Sequence, residues 1–438
     1  MYHVVPDIFV EKRQDGKFLI FSPMMGKVSL VNAEVLISFK SSCQSNFKGS
    51  SAEQTSLFLQ LGLISNSEIA MPNYTLPPFQ PTEVVLFPTN ECNARCIYCY
   101  GNTGEIEVRN LDFGVAKQSI DFIVSNALIK GAKEFSTGFH GGGEPTYNWE
   151  LLVNSVMYAK ELAKKTGLHS TTSIGTNGIL GEKRIEWIIE NINMVTLSFD
   201  GPEDIQNKNR PLVNGGASFP YVSHTARRLI DAGTDVTIRA TITSESVYRL
   251  EEIFDYFVSL GIKSMHFEPL SECGRCITTH QTSPEALTFV NNYFPLIQKA
   301  KDKGIDFGNS LGQLRGIKSS FCGASGDNFF VTPEGYITSC LEVSLLSDPR
   351  SSIFFYGKVN TDKDEMEIDE KKRTLLASRQ VYNMPGCNDC YAKWSCAGEC
   401  PAKAESAGML FNVEPDYIRC QMQKIMVKKR LEQSVSGG

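Results

Sequence analysis

The central part of the chain alternates between two kinds of apolar pattern. A helical stretch follows each strand-like run, and clear examples with apolar residues three and four positions apart span 112–129 and 248–260. Strands that alternate with helices are typical of a parallel sheet. Because six units are too few for an eight-fold barrel, the α/β pattern predicts a partial, open (βα)6 barrel with its site at the carboxyl ends of the strands. The predicted strands lie near 83–87, 134–139, 169–175, 194–199, 235–243 and 264–269.

The regions on both sides of this barrel have different patterns. Residues 1–75 predict a small α+β unit, in which two strand-like apolar runs flank a turn at Pro23 and a helix follows. Four prolines between 71 and 81 predict a linker, since proline can neither continue a helix nor donate to a sheet. After a predicted helix at 284–303 the alternation stops, and a last helical stretch covers 414–432. We therefore predict three domains, at 1–75, 76–310 and 311–438.

Charge and cysteine content narrow the functional classes. The chain has 438 residues, a net charge of −6 and 13 cysteines. Because it lacks an extended basic region, nucleic acid is not an expected partner. No run of 18 apolar residues and no export signal occur, so we expect a cytoplasmic protein with no membrane partner. The cysteines are too sparse for a disulfide scaffold, and nine of them form three tight groups, which favours metal binding in a reducing compartment.

The first cysteine group follows directly on the first barrel strand and consists of Cys92, Cys96 and Cys99. A cubane cluster contains four irons, so three cysteine ligands leave one iron free to bind something else. A structural zinc site is the alternative, but it needs a fourth ligand and the loop contains no histidine. The spacing therefore favours an iron–sulfur cluster with one open iron.

This loop resembles the motif of the radical S-adenosylmethionine (SAM) superfamily, C-x3-C-x-aromatic-C, with Tyr98 as the aromatic residue. The resemblance implies that the open iron binds the amino and carboxylate groups of SAM. An electron from the reduced cluster would then cleave SAM, and the 5′-deoxyadenosyl radical would remove a hydrogen atom from the substrate. A flavodoxin or ferredoxin is the expected reductant.

The same resemblance assigns further residues to cofactor binding. Gly142, Gly143 and Glu144 match the family's G-G-E-P motif after the second strand. Consecutive glycines let backbone approach a ligand closely, and a carboxylate can accept hydrogen bonds from an ammonium group. Ser198 at the end of strand four and Arg239 on strand five are also expected to contact SAM. The alternatives are an ordinary turn for the glycines and a barrel ion pair for Arg239.

Seven cysteines between residues 322 and 420 resemble the SPASM domain in their spacing. The resemblance implies two auxiliary [4Fe–4S] clusters, which makes three clusters with the radical SAM cluster; a zinc ribbon is the alternative. Four of the cysteines would hold the outer cluster: Cys387, Cys390, Cys396 and Cys420. Three would hold the inner cluster: Cys322, Cys340 and Cys400.

The inner cluster lacks one thiolate in this pattern. Some relatives supply a cysteine six residues beyond the first, where this chain has Asn328. Either the fourth iron is open to a substrate thiolate, or Cys273 or Cys276, just past strand six, fills the position. We include Cys273 in the expected ligand set. The alternative for both is a buried apolar thiol, as we expect for Cys43.

The N-terminal unit favours a peptide substrate. Its hairpin-then-helix pattern resembles the recognition domain of ribosomal-peptide maturases, which pairs a leader peptide with an exposed strand edge. The alternative is a unit that only caps the barrel. We therefore predict a maturase that makes a thioether or carbon–carbon cross-link within a precursor peptide that carries a leader.

Two other functions stay open. A sulfatase-maturing enzyme would oxidise Cys or Ser to formylglycine, but such enzymes place the radical motif near the N-terminus, whereas 91 residues precede it here. They also carry an Asp after the cysteine that matches Cys340, where this chain has Leu341. The third function is a non-catalytic iron–sulfur electron carrier, which the G-G-E-P match opposes. No acid or base is assigned, although Asp200, Glu268 and Glu342 are candidates.

Overall fold

The computed structural model describes residues 2–314 and 316–436. Its strands are β1 His3–Val4, β2 Phe9–Lys12, β3 Phe18–Ser22, β4 Lys27–Val31, β5 Ile64–Ser65, β6 Glu83–Leu86, β7 Glu134–Phe139, β8 His169–Thr176, β9 Met194–Ser198, β10 Asp235–Ile242, β11 Ser264–Pro269, β12 Asp306–Gly308, β13 Phe330–Val331, β14 Tyr336–Thr338, β15 Phe355–Asn360 and β16 Glu365–Ile368. Its α-helices are α1 Ala33–Gln44, α2 Ala52–Gln60, α3 Phe113–Lys130, α4 Trp149–Thr166, α5 Glu182–Asn191, α6 Glu203–Asn209, α7 Phe219–Asp231, α8 Leu250–Ser259, α9 Arg275–Thr278, α10 Ala286–Asp302, α11 Ser351–Phe354, α12 Glu370–Ala377, α13 Lys393–Cys396, α14 Pro401–Ser406 and α15 Ile418–Ser436.

The six predicted barrel strands are β6 to β11, and each end lies within one residue of its predicted position. They pair in chain order, and every neighbouring pair is parallel. Alternate residues of β10, such as Ile238 and Ile242, are buried in the same apolar core as Phe254 of α8. The intervening residues, including Arg239 and Thr241, line a cavity on the other face. The apolar period therefore fixes which side chains face the site.

The sheet extends beyond these six strands at both edges. Short β12 adds in parallel to β11, and β13 adds in parallel to β6 through the pair Phe330 and Val85. Strands β14 to β16 continue from β13 in antiparallel order, so the sheet has eleven strands within the described residues. The sequence did not reveal these additions, because β12 and β13 are only three and two residues long and too short to show a period. The sheet is therefore continuous across the predicted boundary at residue 311.

The N-terminal unit contains the predicted hairpin, β3 and β4, which turns through Gly26 at a φ of +60°. Strand β2, which we did not predict, completes a three-stranded antiparallel sheet. One face of this sheet packs Ile20 against Phe58 of α2. The other face packs Leu19 and Phe21 against α15 at Val427. The unit therefore shares a core with the C-terminal region.

The remaining expectations concern the linker and two helices. Residues 71–81 contain no helix or strand, as the prolines predict. Helix α10 matches its prediction within two residues, whereas α15 begins four residues later than expected and extends to Ser436. No helix in the described ranges combines the length and apolar content needed to cross a membrane.

Candidate active site

A cavity of about 310 Å³ lies at the carboxyl ends of the barrel strands. Loops after β6, β7 and β8 form one side, and residues after β11 and from the C-terminal region form the other. The predicted radical-cluster cysteines and every predicted SAM-binding residue line this cavity. They are Cys92, Cys96, Tyr98, Cys99, Gly142, Gly143, Glu144, Ser198 and Arg239.

The three loop thiols are deeply enclosed. Burial raises the pKa of Cys92 to about 12 and that of Cys96 to about 11, and the neighbouring thiols contribute to both rises. The backbone N–H of Ala94 and the amide of Asn177 donate to the Cys92 sulfur at 3.4 and 3.6 Å. Without a bound cation the thiols of Cys92 and Cys96 stay protonated at neutral pH, so metal binding must displace their protons.

The cysteine groups do not form a single-ion geometry. Across residues 2–314 and 316–436, no three Cys, His, Asp or Glu side chains converge on a position for one metal ion. The three thiols of the loop instead line the edge of the larger cavity.

Glu144 is buried and ties the G-G-E-P turn to the end of β8. Its Oε1 accepts from the Thr146 hydroxyl at 2.9 Å, the Thr146 N–H at 3.3 Å and the Thr176 hydroxyl at 2.8 Å. Its Oε2 accepts one hydrogen bond, from the Asn177 N–H at 2.7 Å. Burial raises the pKa of Glu144, and these hydrogen bonds oppose the rise. A carboxylate oxygen has two acceptor positions, so Oε2 can accept one further donor such as an ammonium group.

Gly143 is required by close backbone contact. A Cβ atom at this position would lie 2.4 Å from the carbonyl oxygen of Glu91 and 2.7 Å from that of Thr89. Both are backbone atoms of the segment that leads into the cysteine loop, so a side chain at this position would force that backbone to shift. The glycine therefore lets the two loops of the cavity meet.

Ser198 and Arg239 lie side by side, because they are paired in the register of β9 and β10. Both line the cavity, and the Arg239 side chain is exposed there. Within the described part of the chain, no carboxylate forms an ion pair with Arg239. The structure thus offers no support for the barrel ion pair and leaves this guanidinium available to an anionic group in the cavity.

Two groups in the cavity wall were not found from the sequence. Arg210 contacts Asp200 through its Nε at 3.1 Å and stacks on the Tyr98 ring at 5.3 Å. The His140 ring accepts a hydrogen bond at Nδ1 from the Gly141 N–H at 2.7 Å. Burial, helped by Arg239, lowers the pKa of His140 to about 4, so the ring is neutral and carries its proton on Nε2. Arg210 lies outside every motif identified in the sequence and only the fold brings it to the site, whereas His140 directly precedes the glycine turn after β7.

The three carboxylates considered as acid or base have different environments. Asp200 is fully buried and accepts from Tyr98, Asn209, Arg210 and the Thr241 N–H. It is a positioning residue with no free capacity.

Glu268 is also committed to neighbouring groups. Although burial opposes the shift, Lys403, His266 and Arg419 hold the pKa of Glu268 well below its usual range. Glu342 differs, because its Oε2 accepts no hydrogen bond and its nearest cation is Arg350 at 3.8 Å. Among the three, Glu342 alone combines a place in the cavity wall with an uncommitted oxygen.

The C-terminal cysteines also group as expected. Cys387, Cys390, Cys396 and Cys420 line one small, separate cavity. Burial, Glu342 and neighbouring thiols together raise the pKa of Cys340 and of Cys400, the latter to about 12. Cys322 belongs to the same neighbourhood, since it contributes to both of these rises. Cys43 lies in α1, away from all these groups.

The comparison with known proteins agrees with this geometry. The family model of the Radical SAM superfamily matches residues 86–257. The chain is 30% identical over 302 residues to an uncharacterised protein of Methanocaldococcus jannaschii, a match that covers 68% of this chain and 95% of that protein. It is 24% identical over 344 residues to the serine-type anaerobic sulfatase-maturating enzyme of Klebsiella aerogenes, covering 75% and 82% of the two chains. It is also 24% identical over 364 residues to mycofactocin maturase MftC of Mycolicibacterium smegmatis, covering 80% and 86%.

Solved structures share the fold. The structure of native anSMEcpe with bound AdoMet and the Kp18Cys peptide aligns with a TM-score of 0.63 at 21% identity, over 81% of this chain and 99% of that chain. SuiB of Streptococcus suis bound to its precursor peptide SuiA aligns with a TM-score of 0.56 at 15% identity, over 97% of this chain and 100% of that chain. From the cysteine loop, the cavity and these matches, we conclude that the chain belongs to the radical SAM superfamily.

Proposed function

We propose that this protein is a SPASM-type peptide maturase that cleaves SAM reductively and forms an intramolecular thioether or carbon–carbon cross-link in a ribosomally made precursor peptide. The observation that carries the proposal is the composition of the cavity wall. Residues of the radical-cluster loop face Glu342 and Lys403, which adjoin the cysteines expected to hold an auxiliary cluster.

The residues present fit the expected cofactors. SAM carries an ammonium and a carboxylate, and the cavity offers the remaining acceptor position on Glu144 and the guanidinium of Arg239. Cys92, Cys96 and Cys99 would hold the radical SAM cluster. When bound, the cluster and SAM supply a 5′-deoxyadenosyl radical. Ser198 and His140 offer hydrogen-bonding groups in the same wall.

The small cavity of the four outer cysteines and the inner group of three support two auxiliary clusters. Arg379 lies near both groups, and the thiolates of Cys400, Cys396 and Cys322 oppose the lowering of its pKa by burial. Clusters held by thiolates carry net negative charge, and a buried guanidinium between them stabilises that charge.

A second cavity, of about 550 Å³, supports a chain-like substrate. Linker residues 77–81 form one wall with the start of β6, and small residues of the barrel interior, such as Gly138 and Ser173, form another. It meets the active-site cavity at His140, Gly175 and Leu341, which line both. Two adjacent cavities of this combined size suit an extended peptide segment better than a small metabolite.

The N-terminal unit supports recognition of a leader. Strands β2 and β4 are the edges of its three-stranded sheet, and an edge strand can pair with an added peptide strand. The match to SuiB leaves only 3% of the chain outside, so it must include most of residues 1–75, whereas the match to anSMEcpe leaves 19% outside. Several large apolar side chains of the unit are exposed: Tyr2, Val4, Val10, Ile37 and Leu57.

Co-expression tests this function. The protein is produced anaerobically with each short open reading frame next to its gene, and the peptide product is examined by tandem mass spectrometry. We expect the loss of two hydrogen atoms and fragment ions missing between the two linked residues. A peptide of unchanged mass, from a preparation that does produce 5′-deoxyadenosine, would contradict the cross-linking function.

Formylglycine formation is the second candidate, because sulfatase-maturating enzymes are among the similar proteins and anSMEcpe shares the fold. Leu341 lines the cavity where those enzymes are expected to carry an Asp, and an aliphatic side chain cannot accept a proton. The adjacent Glu342 is a possible substitute. Incubation with the Kp18Cys peptide separates the two candidates, since formylglycine in that peptide would favour the sulfatase function.

A further inference from the structure

The segment after β11, residues 271–276, is clamped to the radical-cluster loop. Gly274 has a φ of +61°, and a Cβ there would lie 2.4 Å from the carbonyl oxygen of Cys99. The Arg275 N–H donates to that oxygen at 2.9 Å. The Arg275 guanidinium donates to the Cys96 carbonyl at 3.0 Å and pairs with Glu105 at 2.7 Å. The backbone directly after Cys273 is therefore held next to the radical-cluster loop.

The two cysteines of this segment lie in different surroundings. Cys276 is fully buried in a small apolar cluster with Tyr98 and Leu270, and its thiol donates to the Cys273 carbonyl at 3.0 Å. Cys273 instead lines the active-site cavity together with Leu341, Glu342 and Lys403. Cys276 therefore behaves as a buried apolar thiol, whereas Cys273 faces a space that can hold a ligand.

Cys273 shares its neighbours with the inner cysteine group. Glu342 lies two residues after Cys340, and Lys403 lies three residues after Cys400 at the start of α14. Because Glu342 and Lys403 line the cavity together with Cys273, Cys273 lies on the same wall as the segments that carry Cys340 and Cys400.

The side chain of Asn328, which occupies the position that would otherwise supply a ligand, is already hydrogen-bonded. Its side-chain amide donates to the Ser339 carbonyl at 2.9 Å. Its backbone carbonyl accepts from the Tyr356 hydroxyl. These bonds fix Asn328 within the C-terminal strands, and an amide is a poor ligand for iron compared with a thiolate.

We propose that Cys273 is the fourth thiolate ligand of the inner auxiliary cluster, with Cys322, Cys340 and Cys400. This rests on the proposed function, since it requires that those three cysteines hold a cluster. A ligand from the barrel would join the two halves of the active-site wall. It would also leave no open iron at the inner cluster, so a substrate sulfur could not bind there as a ligand.

The test isolates the auxiliary clusters by using the C92A/C96A/C99A protein as parent. C273A and the matched control C276A are made in this parent, together with the conservative variant C273S. Each protein is reconstituted anaerobically and analysed for iron and sulfide, for its EPR spectrum after dithionite reduction, and for binding of ¹⁵N-imidazole by pulsed EPR. Circular dichroism checks that the variants are folded.

We expect the parent and C276A to hold both clusters without coupling to ¹⁵N-imidazole. C273A should either show that coupling or lose half of the bound iron while the outer-cluster signal persists, and C273S should shift the inner-cluster signal. Imidazole coupling in the parent, or spectra of C273A and C273S identical to those of the parent, would overturn the proposal. A parent with no auxiliary iron would instead contradict the proposed SPASM function.

Discussion

The barrel and the C-terminal region are stabilised in different ways. Barrel strands bury alternate aliphatic side chains such as Ile238, whereas the buried Glu144 lines the cavity and the buried Asp200 contacts Tyr98 and Arg210 of its wall. The region from 322 to 420 has much shorter elements, with two strands of two and three residues, yet it buries Arg373, Arg379 and Arg419 to 1% exposure. Apolar burial stabilises the barrel. The C-terminal region instead depends on hydrogen-bonded buried charges and on metal binding by its thiols.

Removal of iron should give the largest difference in stability between these two regions. After chelation, we expect amides in residues 322–420 to exchange at least about tenfold faster, because metal binding contributes directly to folding where thiols converge. Amides of β7 to β10 should keep their protection, since apolar contacts hold those strands. Hydrogen exchange followed by mass spectrometry checks this for the reconstituted and chelated proteins. Equal loss of protection in both regions would contradict the contrast.

A buried charge in the C-terminal region provides a second test. Arg419 pairs with Glu399 at 2.7 Å and with Glu268 at 3.2 Å, so it joins the outer-cluster helix to the barrel. Arg419→Met should lower the free energy of unfolding by about 3–5 kcal/mol, because it leaves the buried Glu399 without its cation and removes one of the cations around Glu268, which keeps Lys403. Lys117→Ala, which breaks an exposed pair with Asp121, is the control and should change stability by less than about 1 kcal/mol. Urea unfolding of the reconstituted proteins measures both, and similar midpoints for the two variants would count against this account.

A substitution at the SAM-binding end of the barrel should have a smaller effect, on the affinity for SAM. Arg239→Ala should weaken SAM binding by about ten- to a hundredfold, which corresponds to the loss of one charge-assisted hydrogen-bonded contact. Arg239→Lys should recover part of the affinity, since the charge returns without the planar guanidinium. Auxiliary iron should stay unchanged in both variants, because Arg239 is remote in sequence from the C-terminal cysteines. Calorimetric titration of SAM into the reconstituted proteins provides the measurement, and unchanged affinity in Arg239→Ala would remove this residue from the site.

The same contrast explains what the sequence could and could not predict. The six barrel strands and their site end follow from apolar period, and the motif residues followed from spacing that this chain shares with a family. Arg210 reaches the cavity through a contact between distant segments, which no local pattern signals, whereas His140 directly precedes the glycine turn after β7 and could have been found from its place in the sequence. In the C-terminal region, Arg379 is buried by three backbone carbonyls, those of Leu410, Glu399 and Gly398. Its partners are set by the fold alone, so no local sequence pattern predicts that this arginine is buried.

The central claim is that the loop after β6 holds a cluster whose open iron binds SAM. The most direct measurement is 5′-deoxyadenosine formation by anaerobically reconstituted protein with SAM and dithionite, quantified by liquid chromatography and mass spectrometry. We predict that the natural protein forms it and that C92A/C96A/C99A forms none while retaining auxiliary iron. A reduced, cluster-loaded natural protein that leaves SAM intact, or equal product from the triple variant, would contradict the claim.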